Sequence, residues 1–250
     1  MELFLYGIAI IYGLLIGSFL NVLILRIPAG ENFVIERSHC MKCGYQLSWL
    51  DMIPVFSYLF LGGKCRKCGA KISIQYPIIE ALNAILYVAV FYFCGFNLVS
   101  VLYCAVTSAL IVISVIDFRT YEIPLGLTLF IGAIGIIRTG MDLEHIWLYV
   151  IGMLSVGLFL ELLFIISGGT WIGGGDATLM MAAGLVLGWK NIIAAFMVAC
   201  ILGSVIHSIW MKISGASKVL ALGPYLSMGI YLMMLFGDRV IDWYLGLIGL

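Results

Sequence analysis

Leu110-Ile111-Val112-Ile113-Ser114-Val115-Ile116-Asp117 is the stretch that decides how the chain is read. It is an apolar run suited to hydrocarbon, and it closes on a carboxylate. A second acid stands in a comparable place, at Gly173-Gly174-Gly175-Asp176, after another hydrophobic segment. A carboxylate at membrane depth is costly and is tolerated where it is paired or put to use. Two of them at the ends of hydrophobic segments point to a paired-acid site at a membrane edge.

Composition agrees with a membrane setting. Of 250 residues, 64% are hydrophobic and 10% charged, and the mean hydropathy is +1.17. A soluble domain is about half apolar and about a quarter charged. The reading is therefore an all-α polytopic membrane protein of about eight transmembrane helices, at roughly 20 residues each. The expected spans are 3–25, 78–96, 98–116, 123–139, 146–167, 177–189, 191–212 and 219–236. Met1-Glu2-Leu3 has no basic stretch ahead of the apolar run, so the first segment is expected to stay as a helix rather than be cleaved as a signal. The formal net charge is zero, which gives no bulk attraction to nucleic acid.

The stretch 26–77 differs from the rest. It carries Arg26, Arg37, Lys42, Lys64, Arg66, Lys67 and Lys71 out of 13 basic residues, together with Cys40, Cys43, Cys65 and Cys68. It reads as a small extramembrane domain. With the N-terminus outside, Arg119, Lys212 and Lys218 join those seven on the inner side, leaving Arg138, Lys190 and Arg239 outside. This orientation puts both Asp117 and Asp176 at the cytoplasmic face.

Cys40-x2-Cys43 and Cys65-x2-Cys68, 21 residues apart, are two knuckles that together complete a four-sulfur tetrahedral site. Gly44 and Gly69 each follow a second cysteine, where the turn calls for positive φ. Four thiolates leave no open position for water, so a structural zinc is expected, and a segment this small needs it to fold. Cys94, Cys104 and Cys200 lie in apolar runs and read as small core residues.

Two carboxyls sharing one proton can activate a water and protonate a leaving group. The glycines Gly173, Gly174 and Gly175 let a substrate backbone come close and let the loop bend ahead of Asp176. Other readings stay open at this level. Asp176 fits a helix N-cap, Asp117 an interfacial acid beside Arg119, and Glu161 a hydrogen-bonded acid inside the fifth span. Glu80 opens the second span, and His39 and His207 read as packing residues. No HExxH or GxSxG occurs. A scaffold whose metal domain docks a partner, and a transporter using Asp117, Glu161 and Asp176, are the competing classes.

With these pieces located, the chain resembles the type IV prepilin peptidases, membrane aspartic proteases of the GxGD kind. The likeness runs through Gly17-Ser18-Phe19-Leu20-Asn21-Val22 with Arg26 and Pro28, the two cysteine knuckles, and Tyr76-Pro77-Ile78-Ile79-Glu80. It continues through Asp117 with Ile123-Pro124, Gly173 to Asp176, and Leu222-Gly223-Pro224-Tyr225-Leu226. The resemblance implies Asp117 and Asp176 as catalytic acids. They would cleave prepilins or pseudopilins after a glycine that ends a basic leader, at the cytoplasmic face of the bacterial inner membrane. It also implies N-methylation of the new N-terminus by S-adenosyl-L-methionine, with Asn21, Arg26 and Glu80 near that second site. On this reading 1–25 is the first transmembrane helix, 26–77 the cytoplasmic zinc domain built on the four cysteines, and 78–250 the peptidase domain. Leu125 stands where the family commonly has an acid, and Thr178 where it commonly has lysine; loss of that cation is expected to alter the pH dependence.

Overall fold

The computed structural model describes residues 2–32, 38–214 and 220–247. Glu36, Arg37 and Lys218 lie outside the described residues. Within them every regular element is helical apart from two isolated β-bridges. The helices are α1 (Glu2–Ala29), α2 (Phe56–Phe60), α3 (Gln75–Cys94), α4 (Leu98–Thr120), α5 (Leu125–Gly140), α6 (Ile146–Ser167), α7 (Gly174–Leu187), α8 (Trp189–Ser214) and α9 (Gly223–Leu247). Helices are what the composition demands, because in lipid each backbone N–H must find its acceptor within its own segment.

Each expected span overlaps one of these helices; the last, 219–236, starts at a residue outside the described ones, and α9 runs on to Leu247. Five segments are long and apolar enough to cross a membrane: α1, α3, α4, α6 with the turn before it, and α8. α5 and α7 are apolar but shorter. At 14 residues α7 rises about 21 Å, against a hydrocarbon core of about 30 Å. The count of eight spans therefore does not follow from length and composition alone.

The chain divides into two compact units, Met1–Phe96 and Asn97–Leu250. In the first, α1 and α3 form an antiparallel pair. Ala9, Gly13, Gly17, Leu20 and Ile24 share the buried stripe of α1, and Glu80, Asn83, Ala84 and Tyr87 face them from α3. A Cβ on Gly13 would lie 2.6 Å from the Ala84 Cα, and one on Gly17 2.7 Å from the Glu80 Cα. Lipid tails are as apolar as leucine, so helices associate here through close packing and polar contacts, which small residues permit. Asn83 adds one such contact, donating its Nδ2 to the Gly13 carbonyl at 2.7 Å.

In the second unit α7 is the centre. Nine of its fourteen residues are buried, with α5, α6, α8 and α9 packed around it. Ile113 of α4, Ile131 of α5, Leu160 of α6, Leu179 and Met180 of α7, and Leu226 and Ile230 of α9 form the core. Gly152 and Gly184 let α6 and α7 touch backbone to backbone: a Cβ on Gly152 would sit 2.6 Å from the Gly184 carbonyl oxygen.

Candidate active site

Asp117 sits in the last turn of α4 and is 5% exposed. The helix stops three residues later, at Thr120. Tyr121 takes the left-handed conformation (φ 57°) and returns its N–H to the Asp117 carbonyl at 2.9 Å. Pro124 then starts α5 from extended backbone, consistent with a ring that lacks an N–H and restricts the residue before it. The Asp117 side chain is fixed from far along the chain. Its Oδ2 accepts the backbone N–H of Gly223, the first residue of α9, at 2.9 Å. A Cβ on Gly223 would lie 2.7 Å from that same oxygen. Only glycine brings its amide this near. No sequence signal marked this donor; the Gly223-Pro224 block drew notice through resemblance alone.

Asp176 lies in the first turn of α7 and is 9% exposed. Gly173 occupies the N-cap, so the expectation of Asp176 as N-cap is corrected. It stands three residues further in, where an acid can reach back toward the N-cap amide and meets the positive end of the helix. The expected bend at the glycines is corrected too. Gly174 and Gly175 are helical, and the turns with positive φ come earlier, at Gly168 and Gly169. Gly175 serves packing: a Cβ there would meet the Ile123 Cβ at 2.8 Å. The α4–α5 connection therefore rests on the opening turn of α7.

These contacts bring three chain ends together: the close of α4, the start of α7 and the start of α9. Asp117 and Asp176 stand on helix ends that this packing joins, α4 to α9 through Gly223 and the α4–α5 connection to α7 through Ile123 and Gly175. Two enclosed carboxyls in that relation can hold one proton between them, so that one side accepts a proton while the other donates. Thr178 donates its hydroxyl to the Gly175 carbonyl at 2.9 Å, and Leu125 is exposed at the start of α5. Glu161 and His207 are half-exposed, on α6 and α8. The His207 Nε2 is enclosed without a hydrogen-bond partner.

In the first unit the four cysteine sulfurs all lie within 4.8 Å of one another, with Cys40 and Cys68 at 3.9 Å. Sulfurs at about 2.3 Å from one zinc stand about 3.8 Å apart, so the cluster fits that ion. The two knuckles have the same construction. Gly44 donates to the Cys40 carbonyl and Gly69 to that of Cys65, each at 2.9 Å. Both glycines have φ of 68°, the positive value their positions called for. Backbone N–H groups of Lys42 and Cys43 face the Cys40 sulfur and favour its thiolate, the form a metal requires, whereas burial and the neighbouring thiols push the Cys43 thiol up. Asp51 braces the segment, accepting from Ser48 Oγ at 2.7 Å and Arg66 Nε at 2.7 Å. Burial works against its charge, but the bonds from Ser48 and Arg66 hold its carboxyl below the usual range.

Asn21, Arg26 and Glu80 are all buried in this unit. Asn21 donates to the Tyr76 carbonyl at 3.2 Å and accepts from Gln75 at 3.2 Å. Arg26 donates to the Asn32 carbonyl at 3.0 Å. Glu80 accepts the backbone N–H of Val55 at 2.7 Å. Val55 is β-branched at φ 61°, a strained conformation that this bond helps to hold. The backbone partners of Asn21, Arg26 and Glu80 were not legible in the sequence, because backbone donors and acceptors leave no mark in side-chain composition.

Two family descriptions match the chain. Bacterial Peptidase A24 N-terminal domain covers residues 11–94, and the type IV leader peptidase family covers residues 104–208. Among curated proteins, the prepilin leader peptidase/N-methyltransferase of Xanthomonas campestris is 31% identical, across 95% of this chain and 93% of its own. The protein of that name from Bacillus subtilis is 31% identical, across 96% and 97%. The one from Pseudomonas aeruginosa is 28% identical, across 96% and 93%. No solved structure matches.

Proposed function

The chain belongs to the type IV leader peptidase family, and we propose from this that it cuts prepilin-type leaders as a membrane aspartic endopeptidase and N-methylates the product. The observation that carries the peptidase reading is the burial of two carboxyls, Asp117 in the last turn of α4 and Asp176 in the first turn of α7, where Ile123 of the α4–α5 connection packs on Gly175. One carboxyl takes a proton from water as that water attacks the scissile carbonyl. The other gives a proton to the departing nitrogen, and the pair then exchanges its proton to reset. The Gly223 N–H holds Asp117 in one orientation throughout. Gly173, Gly174 and Gly175 offer a backbone without side chains beside Asp176, where an extended substrate can approach.

The client is the basic leader of a prepilin or pseudopilin, cut after a glycine. The site lies at the cytoplasmic face of a bacterial inner membrane, with α5, α7 and α9 completing eight spans. Residues 1–25 serve as first span, 26–77 as zinc domain and 78–250 as peptidase domain. Cys40, Cys43, Cys65 and Cys68 hold one zinc, which cross-links the two knuckles and leaves no position for catalysis.

S-adenosyl-L-methionine supplies an electrophilic methyl group on a positively charged sulfur. Glu80 is a buried carboxylate of the first unit with no ion-pair partner among the described residues, which fits a cationic donor. Asn21 and Arg26, buried in the same unit, are the other residues proposed to shape that second site. The test is mass analysis of a client incubated with the reconstituted protein. Cutting with a methyl increment that depends on S-adenosylmethionine supports both activities. Cutting without the increment, at saturating donor, removes the transferase.

A further inference from the structure

The segment between α1 and α3 presents its apolar side chains outward. Trp49 is 72% exposed, Phe56 54%, Leu59 66% and Phe60 87%. A water-facing domain rarely shows so many together, and such a patch marks a contact surface. Three observations say what covers it. First, α1 and α3 are antiparallel and each is long and apolar enough to cross a membrane, so both ends of the segment leave the same side of the bilayer. Second, the patch is held low. Val55 donates its N–H to Glu80 at 2.7 Å, and Glu80 lies five residues inside α3, which begins at Gln75. That is about 7.5 Å along the helix axis. Residues flanking Val55 therefore sit level with the opening turns of α3 rather than above them. Third, the next residues are basic. Lys64 and Lys71 face each other across an antiparallel bridge, both exposed. Like charges directly opposite repel, and an anionic surface nearby offsets that cost.

We propose that the stretch Trp49–Phe60 is an interfacial element, seated among the headgroups of the bilayer that α1 and α3 cross. Aromatic rings are suited to that layer, where one end is apolar and the other wet. Phe56, Leu59 and Phe60 enter the acyl boundary, and Lys64 and Lys71 meet anionic headgroups. The four-cysteine cluster is thereby held at the membrane surface, where a leader emerging from the bilayer would meet it. The inference rests on α1 and α3 being spans; it needs no assumption about the aspartates.

The test uses the full chain in phosphatidylcholine vesicles, with and without phosphatidylglycerol. The photoreactive residue p-benzoylphenylalanine replaces Phe60 in one preparation and Gln46, on the first knuckle, in another. The expected result is a lipid adduct from position 60 and little from position 46. Lys64→Gln with Lys71→Gln should lower the adduct severalfold in vesicles with phosphatidylglycerol and leave it unchanged in phosphatidylcholine alone. No lipid adduct at position 60, or a crosslink there only to protein, overturns the proposal. Equal adduct from both lysine states in both lipids overturns its anionic part. Prepilin cleavage by the same preparations separates the two readings. Cutting without adduct removes the surface alone, and adduct without cutting removes the peptidase alone.

Discussion

Asp117 and Asp176 could be picked from sequence because a carboxylate at the end of an apolar run is conspicuous. Gly223 could not, since its contribution is a main-chain N–H reaching Asp117 from 106 residues away. That contact makes a prediction. Gly223→Ala places a methyl 2.7 Å from Asp117 Oδ2 and must push either the carboxyl or α9 aside. Cleavage should fall at least tenfold through kcat, with KM little changed, since the variant disturbs orientation rather than client binding. Steady-state kinetics in proteoliposomes checks this; a fall confined to KM would contradict it. The exposed neighbour Leu125 provides the contrast. Leu125→Glu restores an acid the family commonly carries and should leave zinc content and the thermal midpoint unchanged.

At the scale of elements, helix positions were legible and their functional ends less so. The apolar runs place α1, α3, α4 and α8, but the sixth span began three residues late. A run of three glycines reads as a loop, yet Gly174 and Gly175 are helical, with Phe164 and Ile123 close beside them. The cysteine knuckles were legible down to Gly44 and Gly69, because a short turn leaves few conformations open. The bond from Val55 to Glu80 was not. Two predictions belong here. Cys65→Ser should lower bound zinc below one per chain and open residues 38–72 to limited proteolysis; retention of one zinc would refute the four-sulfur site. Asp51 has a lowered carboxyl, so its stabilising contribution is present above the ordinary carboxylate value of about 4 and is lost as pH falls through the lower folded value. Asp51→Asn should therefore melt below wild type at neutral pH, with the gap narrowing in acid. A gap that widens on acidification would reverse the sign.

For the whole molecule, composition announced a membrane protein, and the charge asymmetry is the ground for the proposed orientation, with basic residues on the inner side. The number of crossings is harder to read. α7 has 14 residues, short for a span, and is packed on by α5, α6, α8 and α9. Reporter fusions after Gly140 and after Ser167 should report opposite sides of the membrane, with Gly140 outside. Outside signals from both would remove α6 as a crossing and separate Asp117 from Asp176 across the bilayer. The central claim is that these two carboxyls act as one acid–base pair. Its most direct test is cleavage of a prepilin-type client in reconstituted membranes by wild type, Asp117→Asn and Asp176→Asn. Zinc content and thermal midpoint are measured on the same preparations. Each variant should lose cutting by about a hundredfold or more, with zinc and stability retained. Wild-type cutting by either folded variant would contradict the pair.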